Sequence, residues 1–132
     1  MKKYLAFVII IVGLLSCKKS GVKVSPDLFG KWELRRFYGG RFSNLDSVYK
    51  PGNGNVYRFN ADSTYKRYDN NGLVAQGKFH IRRGNVYQLQ SANTILFDND
   101  NYGEPVAVNG TKLTIGTTVA DGPAYEYLKI SN

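Results

Sequence analysis

This sequence predicts an all-β fold: an antiparallel up-and-down barrel of about eight to nine strands, with one short helical turn before the first. Three observations carry that expectation. From residue 55 onward, short runs alternate apolar and polar residues, and Gly, Asn or Asp closes each run. No amphipathic helical stretch interrupts the rhythm beyond the opening turn. The 132 residues, 14% aromatic and 21% charged, suit one domain with an ample core rather than a disordered chain. A flat meander of that length would expose its edges, and closure into a barrel removes them.

The chain starts with Lys2 and Lys3, followed by an apolar run from Leu5 to Leu15. A membrane-spanning helix needs roughly 20 such residues, so this shorter run is read as a targeting peptide. Leu14-Leu15-Ser16-Cys17 resembles the lipobox of bacterial lipoproteins. That resemblance implies diacylglyceryl transfer to the Cys17 thiol and cleavage just before it. The expected organisation is a signal peptide over 1–16, a lipidated tether over 17–26 and a barrel domain over 27–132. Two acyl chains give durable membrane attachment. Cys17 is the sole cysteine, so the mature domain has neither a disulfide nor a thiol for catalysis. Losing Lys2 and Lys3 lowers the formal charge from +8 to +6, a basic balance suited to anionic lipid or glycan surfaces. Nucleic acid is not an expected partner for an exported chain. In bacterial lipoproteins an aspartate after the cysteine usually signals inner-membrane retention. Lys18 stands there instead, so the expected location is the outer membrane, facing the periplasm.

Ser25 is a good N-cap and Pro26 suits the first helical position, so a helical turn is expected there. Gly30 permits a close backbone approach, and Trp32, the only tryptophan, opens the first strand as the candidate floor of the barrel. That strand runs from Trp32 to Tyr38, with Trp32 and Leu34 sharing a face. Arg41 to Gly54 is a long polar connection expected to cover one mouth. Asn55 to Asn60 carries Tyr57 and Phe59 on one face, and Asn60-Ala61-Asp62-Ser63 turns the chain. Thr64 to Asp69 then meets a hairpin signal at Asn70-Asn71-Gly72.

Leu73 to Arg83 alternates most clearly, with Gly77, Phe79 and Ile81 opposite Lys78, His80 and Arg82. Val86 to Gln90 pairs Tyr87 with Leu89 on one face. Thr94 to Asp98 turns Ile95 and Phe97 inward. Pro105 to Val108 passes through Asn109-Gly110, a type I′ signal, into Thr111 to Val119, where Leu113 and Ile115 face in. In the final strand, Ala124 to Ile130, Tyr125 and Tyr127 compete with Leu128 and Ile130 for the inner face.

Over Leu28 to Ile130 the chain resembles the small lipocalin-like lipoproteins of Gram-negative bacteria. The resemblance rests on Gly30-Lys31-Trp32, which is similar to the lipocalin G-x-W motif. It rests also on the hairpin from Tyr57 to Tyr65 and on the closing Tyr125-Glu126-Tyr127-Leu128-Lys129-Ile130. It implies a lipocalin-like barrel closed at one end by Gly30 and Trp32. The Thr-Asp-Tyr motif of typical lipocalins is not evident, and Lys129 stands where that family carries an arginine against the tryptophan.

The chemistry-bearing residues do not assemble into a catalytic motif. His80 is the single histidine and its parity is outward, so no metal centre is expected. Asp98 to Glu104 resembles the start of a calcium loop, but Tyr102 fills the fifth position and Asn109 the twelfth. An ordinary polar loop is expected there. No nucleophile elbow, phosphate loop or dinucleotide fingerprint occurs, so neither catalysis nor a cofactor is expected. Tyr57, Phe59, Tyr65, Phe79, Tyr87 and Phe97 are the candidate lining of a ligand cavity. The same rings equally suit a filled barrel. Three functions are thereby open: a lipid-anchored binding or accessory module of the cell envelope with a protein or glycan partner, a carrier of a small hydrophobic or amphipathic ligand, and an envelope enzyme.

Overall fold

Ser25 and Pro26 begin the fold as their chemistry suggests. Pro26–Leu28 forms a 3-10 turn, with Leu28 N–H donating to the Ser25 carbonyl at 3.0 Å and Phe29 N–H to the Pro26 carbonyl at 3.1 Å. A computed structural model of the chain describes residues 24–40, 46–83, 93–117 and 122–132. The expected signal peptide, Cys17, most of the expected tether and the expected strand Val86 to Gln90, with Tyr87 and Leu89, lie outside the described residues.

Among the described residues nine strands follow the turn: β1 (Gly30–Gly39), β2 (Ser47–Val48), β3 (Val56–Phe59), β4 (Thr64–Asp69), β5 (Gly72–Arg83), β6 (Asn93–Phe97), β7 (Glu104–Asn109), β8 (Lys112–Gly116) and β9 (Pro123–Ser131). All pair antiparallel. Eight close into a barrel in the order β1-β3-β4-β5-β6-β7-β8-β9, and β9 returns to β1. The expected all-β, up-and-down barrel is therefore the architecture observed.

β1 begins two residues earlier than expected and serves three neighbours. Gly30 to Glu33 pair with β3 along one edge, and Arg36 and Phe37 pair with β2 further along it. The other edge runs beside β9 from Lys31 to Gly39, with two irregularities in register. The two-residue β2 falls inside the expected connection Arg41 to Gly54. Between the β3 and β2 pairings, the Asn53 side-chain amide donates to the Leu34 carbonyl at 2.8 Å, and Leu34 N–H donates to the Asn55 carbonyl at 2.9 Å. A side chain thus satisfies a backbone group that no strand reaches.

The strand directions define two ends. The 3-10 turn, the β3–β4 and β7–β8 hairpins and the C-terminus gather at one. The β4–β5 hairpin, the Tyr49 to Asn55 segment and the β6–β7 connection gather at the other. Trp32 closes the first end. It is fully buried, its Nε1–H donates to the Leu28 carbonyl at 2.7 Å, and the Lys129 ammonium lies 5.3 Å from its ring centroid. Lys129 Nζ also donates to the Asp27 carbonyl at 3.2 Å, tying β9 to the opening turn.

Parity holds along β5. Phe79 and Ile81 are buried, while Lys78, His80 and Arg82 are exposed. In β9 the tyrosines win the inner face. Tyr127 is buried opposite Leu34 and Leu113, and Ile130 is exposed.

β6 departs from simple alternation, since Thr94, Ile95 and Leu96 are all buried. Gly103 explains this, because a Cβ there would lie 2.3 Å from Thr94 Cγ2 and 2.8 Å from Leu96 Cγ. The connection after β6 folds back over the strand's outer face, and glycine permits that approach.

Candidate functional site

The rings proposed as a cavity lining mostly pack on one another. Tyr57 stacks on Phe59 at 5.3 Å and on Phe97 at 5.7 Å, and Tyr65 meets Phe97 at 4.6 Å between centroids. Phe59 meets Phe79 edge-on at 5.1 Å, and Tyr57 meets Tyr127 edge-on at 5.5 Å. Tyr57, Phe59, Tyr65 and Phe79 are buried and Phe97 is half-buried. The rings therefore fill the middle of a narrow barrel, and each contact adds roughly 0.5–1.5 kcal/mol beyond area burial.

Space remains above this plug, at the end opposite Trp32. A cavity of about 410 Å³ opens there, lined by Leu34, Tyr49, Asn55, Val56, Tyr57, Arg67, Tyr68, Asp69, Asn70, Tyr125 and Tyr127. Of the candidate lining residues, Tyr57 alone belongs to it; Phe59, Tyr65, Phe79 and Phe97 lie in the plug, and Tyr87 is outside the described residues. The other lining residues come from signals that the alternation pattern undervalued. Arg67 sits two residues beyond Tyr65 on the same face of β4, paired with Tyr57 on β3 and Ala75 on β5. Tyr49 is brought in from the long connection by its N–H donating to the Arg35 carbonyl at 2.8 Å.

Asparagines set the rim. Asn70 N–H donates to Asn55 Oδ1 at 3.0 Å, Asn71 N–H donates to the Gly54 carbonyl at 3.0 Å, and Asn55 N–H donates to Asn53 Oδ1 at 2.9 Å. These bonds link the β4–β5 hairpin to the segment entering β3. Asn70 and Asn71 both hold positive φ, a conformation that asparagine tolerates better than most residues.

The electrostatics follow from burial. Desolvation pushes the Tyr57 hydroxyl above its ordinary pKa, and the neighbouring Arg67 guanidinium offsets part of that rise. The Tyr57 contact in turn raises the Arg67 pKa, so Arg67 stays cationic. Burial raises Tyr127 strongly as well, reinforced by Tyr57 and Tyr125.

Below the rim, Tyr65 is pushed up to about 12 by burial and by the Asp98 carboxylate that accepts its O–H at 3.1 Å. A folded pKa above the ordinary 10.0 favours the protonated form in the fold. Its contribution to stability is complete below pH 10 and is lost between pH 10 and about 12, where the unfolded chain releases a proton that the folded chain keeps. The urea midpoint should therefore fall as pH rises from 10 to 12, and Tyr65→Phe should flatten that fall. An unchanged slope in Tyr65→Phe would remove Tyr65 from the linkage.

The remaining candidates resolve into structure. Asp98 Oδ1 accepts from Lys78 N–H at 2.9 Å, and a Cβ on Gly77 would lie 1.8 Å from that oxygen. Gly77 makes room for this carboxylate. Asp100 Oδ1 accepts from Tyr102 N–H at 2.9 Å, so these two carboxylates hold the backbone. Among the described residues no cluster of three or more His, Cys, Asp or Glu side chains could hold a metal ion. No helix among them is long and apolar enough to cross a membrane. No family model matches the chain, and no curated protein or solved structure matches it either.

Proposed function

We propose that this chain is a lipid-anchored binding module of the bacterial cell envelope that takes a small amphipathic ligand in the mouth of its barrel, without catalysis. One observation carries the reading: aromatic rings plug the middle of the barrel, and a cavity of about 410 Å³ lined by tyrosines and an arginine opens above them. That volume lies within the range of small-molecule pockets, roughly 300–1,000 Å³. It supports a compact ligand rather than a long acyl chain.

The lipid on Cys17 is part of the proposal, and the outer membrane facing the periplasm is its proposed site. Lys18 to Val24 reach at most about 25 Å when extended, and Val24 packs against the core beside the opening turn. The Trp32 end is thereby tethered towards the membrane while the mouth lies at the far end. The module then receives its ligand from the aqueous side rather than from the bilayer that anchors it.

Two measurements test this reading. A clickable fatty acid should label the chain in cells and fail to label Cys17→Ser; equal labelling of both would overturn the anchor. Calorimetric titration with small amphiphiles should give saturable one-to-one binding, weakened in Leu34→Phe, which narrows the cavity. No binding by any of them would favour a barrel that serves a protein or glycan partner through its outer surface.

A further inference from the structure

We infer that the mouth cavity recognises a monocarboxylate, held by Arg67 with its apolar body against the tyrosine rings. The inference rests on the binding role proposed above and names the ligand's chemistry. Among the described residues that line the cavity, only Arg67 and Asp69 are charged. The described ion pairs join Arg35 to Glu33, Arg36 to Asp46 and Lys112 to Glu126. Arg67 takes part in none of them, and neither does Asp69, two residues further along the same strand.

Arg67 is thus a cation at an aromatic cavity, and among the described residues no carboxylate forms an ion pair with it. A guanidinium offers parallel N–H donors that match the two oxygens of a carboxylate. Tyr49, Tyr57, Tyr125 and Tyr127 offer rings for an apolar body and hydroxyls as further donors. Leu34 adds apolar surface on the β1 side. At interior packing density the space holds on the order of a dozen non-hydrogen atoms. Asp69 adds selectivity, because its charge at the rim repels a second anionic group. A single carboxylate on a compact aromatic or short aliphatic body fits these constraints.

Phenylacetate, its neutral isostere phenylacetamide and the dianion phenylmalonate provide the test, by calorimetry on the full chain. Phenylacetate should bind one-to-one and at least tenfold more tightly than either of the others. Arg67→Gln should abolish the preference for phenylacetate over phenylacetamide, and Arg67→Lys should keep part of it. Arg67 is exposed, so the Gln variant should retain the near-ultraviolet spectrum of the native chain. Should that variant not fold, the comparison of the three compounds on the native chain decides alone. Equal affinities for acid and amide, or a preference that survives Arg67→Gln, would overturn the carboxylate inference and leave the binding role standing. Binding of neither would overturn both.

Discussion

Trp32→Ala should destabilise the fold by about 3–5 kcal/mol, the range for truncating a large buried aromatic. Three losses combine there. The indole is fully buried, so its removal leaves a cavity at the closed end of the barrel. The Leu28 carbonyl loses the Nε1–H donor at 2.7 Å, which loosens the opening turn. Lys129 loses the ring beneath its ammonium, and with it part of what holds β9 to the turn. Urea unfolding followed by far-ultraviolet circular dichroism measures the sum. Trp32→Phe separates the parts: it keeps most of the apolar area and should cost about 1–3 kcal/mol, chiefly from the unsatisfied carbonyl. A loss below about 1 kcal/mol in Trp32→Ala would show that Trp32 does not close the barrel. The ligand binding proposed at the mouth, on the far side of the aromatic plug, should survive in whatever fraction remains folded.

That division between a closed end and a mouth was half legible in the sequence. Period-2 alternation placed Phe79 and Ile81 inside, and Leu113 and Ile115 too, because a strand with one buried face repeats every second residue. The closed end was legible for a local reason: Ser25, Pro26, Gly30 and Trp32 sit within eight residues and act on one another. The place of the mouth, beside the Arg41 to Gly54 connection, was legible; most of its lining was not, because what builds it is distant in sequence. Asn70 bonds Asn55 and Asn53 bonds Leu34, contacts 15 and 19 residues apart that leave no periodic trace.

Side-chain chemistry left two further places open. Arg67 shares the parity of Tyr65, yet its charge suggests an outward residue; a barrel mouth is where an inward arginine still reaches water. In β9 the competition between tyrosines and aliphatics resolves in favour of Tyr127, whose ring meets Tyr57 while the wet mouth accommodates hydroxyls. Phe59, Tyr65, Phe79 and Phe97 fill the barrel below the cavity for a geometric reason. Inward rings on adjacent strands of an eight-stranded barrel are close enough to touch, so they pack on each other before they can line a space.

Gly30→Ala is the second substitution with a large expected effect, about 2–4 kcal/mol, and its cause is backbone geometry rather than lost area. Gly30 holds φ +125°, a region that residues with a Cβ rarely adopt. A Cβ there would lie 2.4 Å from the Ser131 carbonyl oxygen and 2.9 Å from Lys129 Cε. The first contact is with backbone, so the end of β9 must move. The second pushes away the side chain that covers Trp32. The seam where β9 closes on β1 therefore opens at the point that the tryptophan guards, and tryptophan fluorescence should shift to the red along with the loss of stability. Gly110→Ala is the control. It also has a positive φ, +59°, but a Cβ there meets nothing within 4 Å, so it should carry only the conformational cost of about 1–2 kcal/mol. If the two variants lose equal stability and neither moves the fluorescence, the close approach at Gly30 contributes nothing to closure, and Trp32 holds that end of the barrel without it.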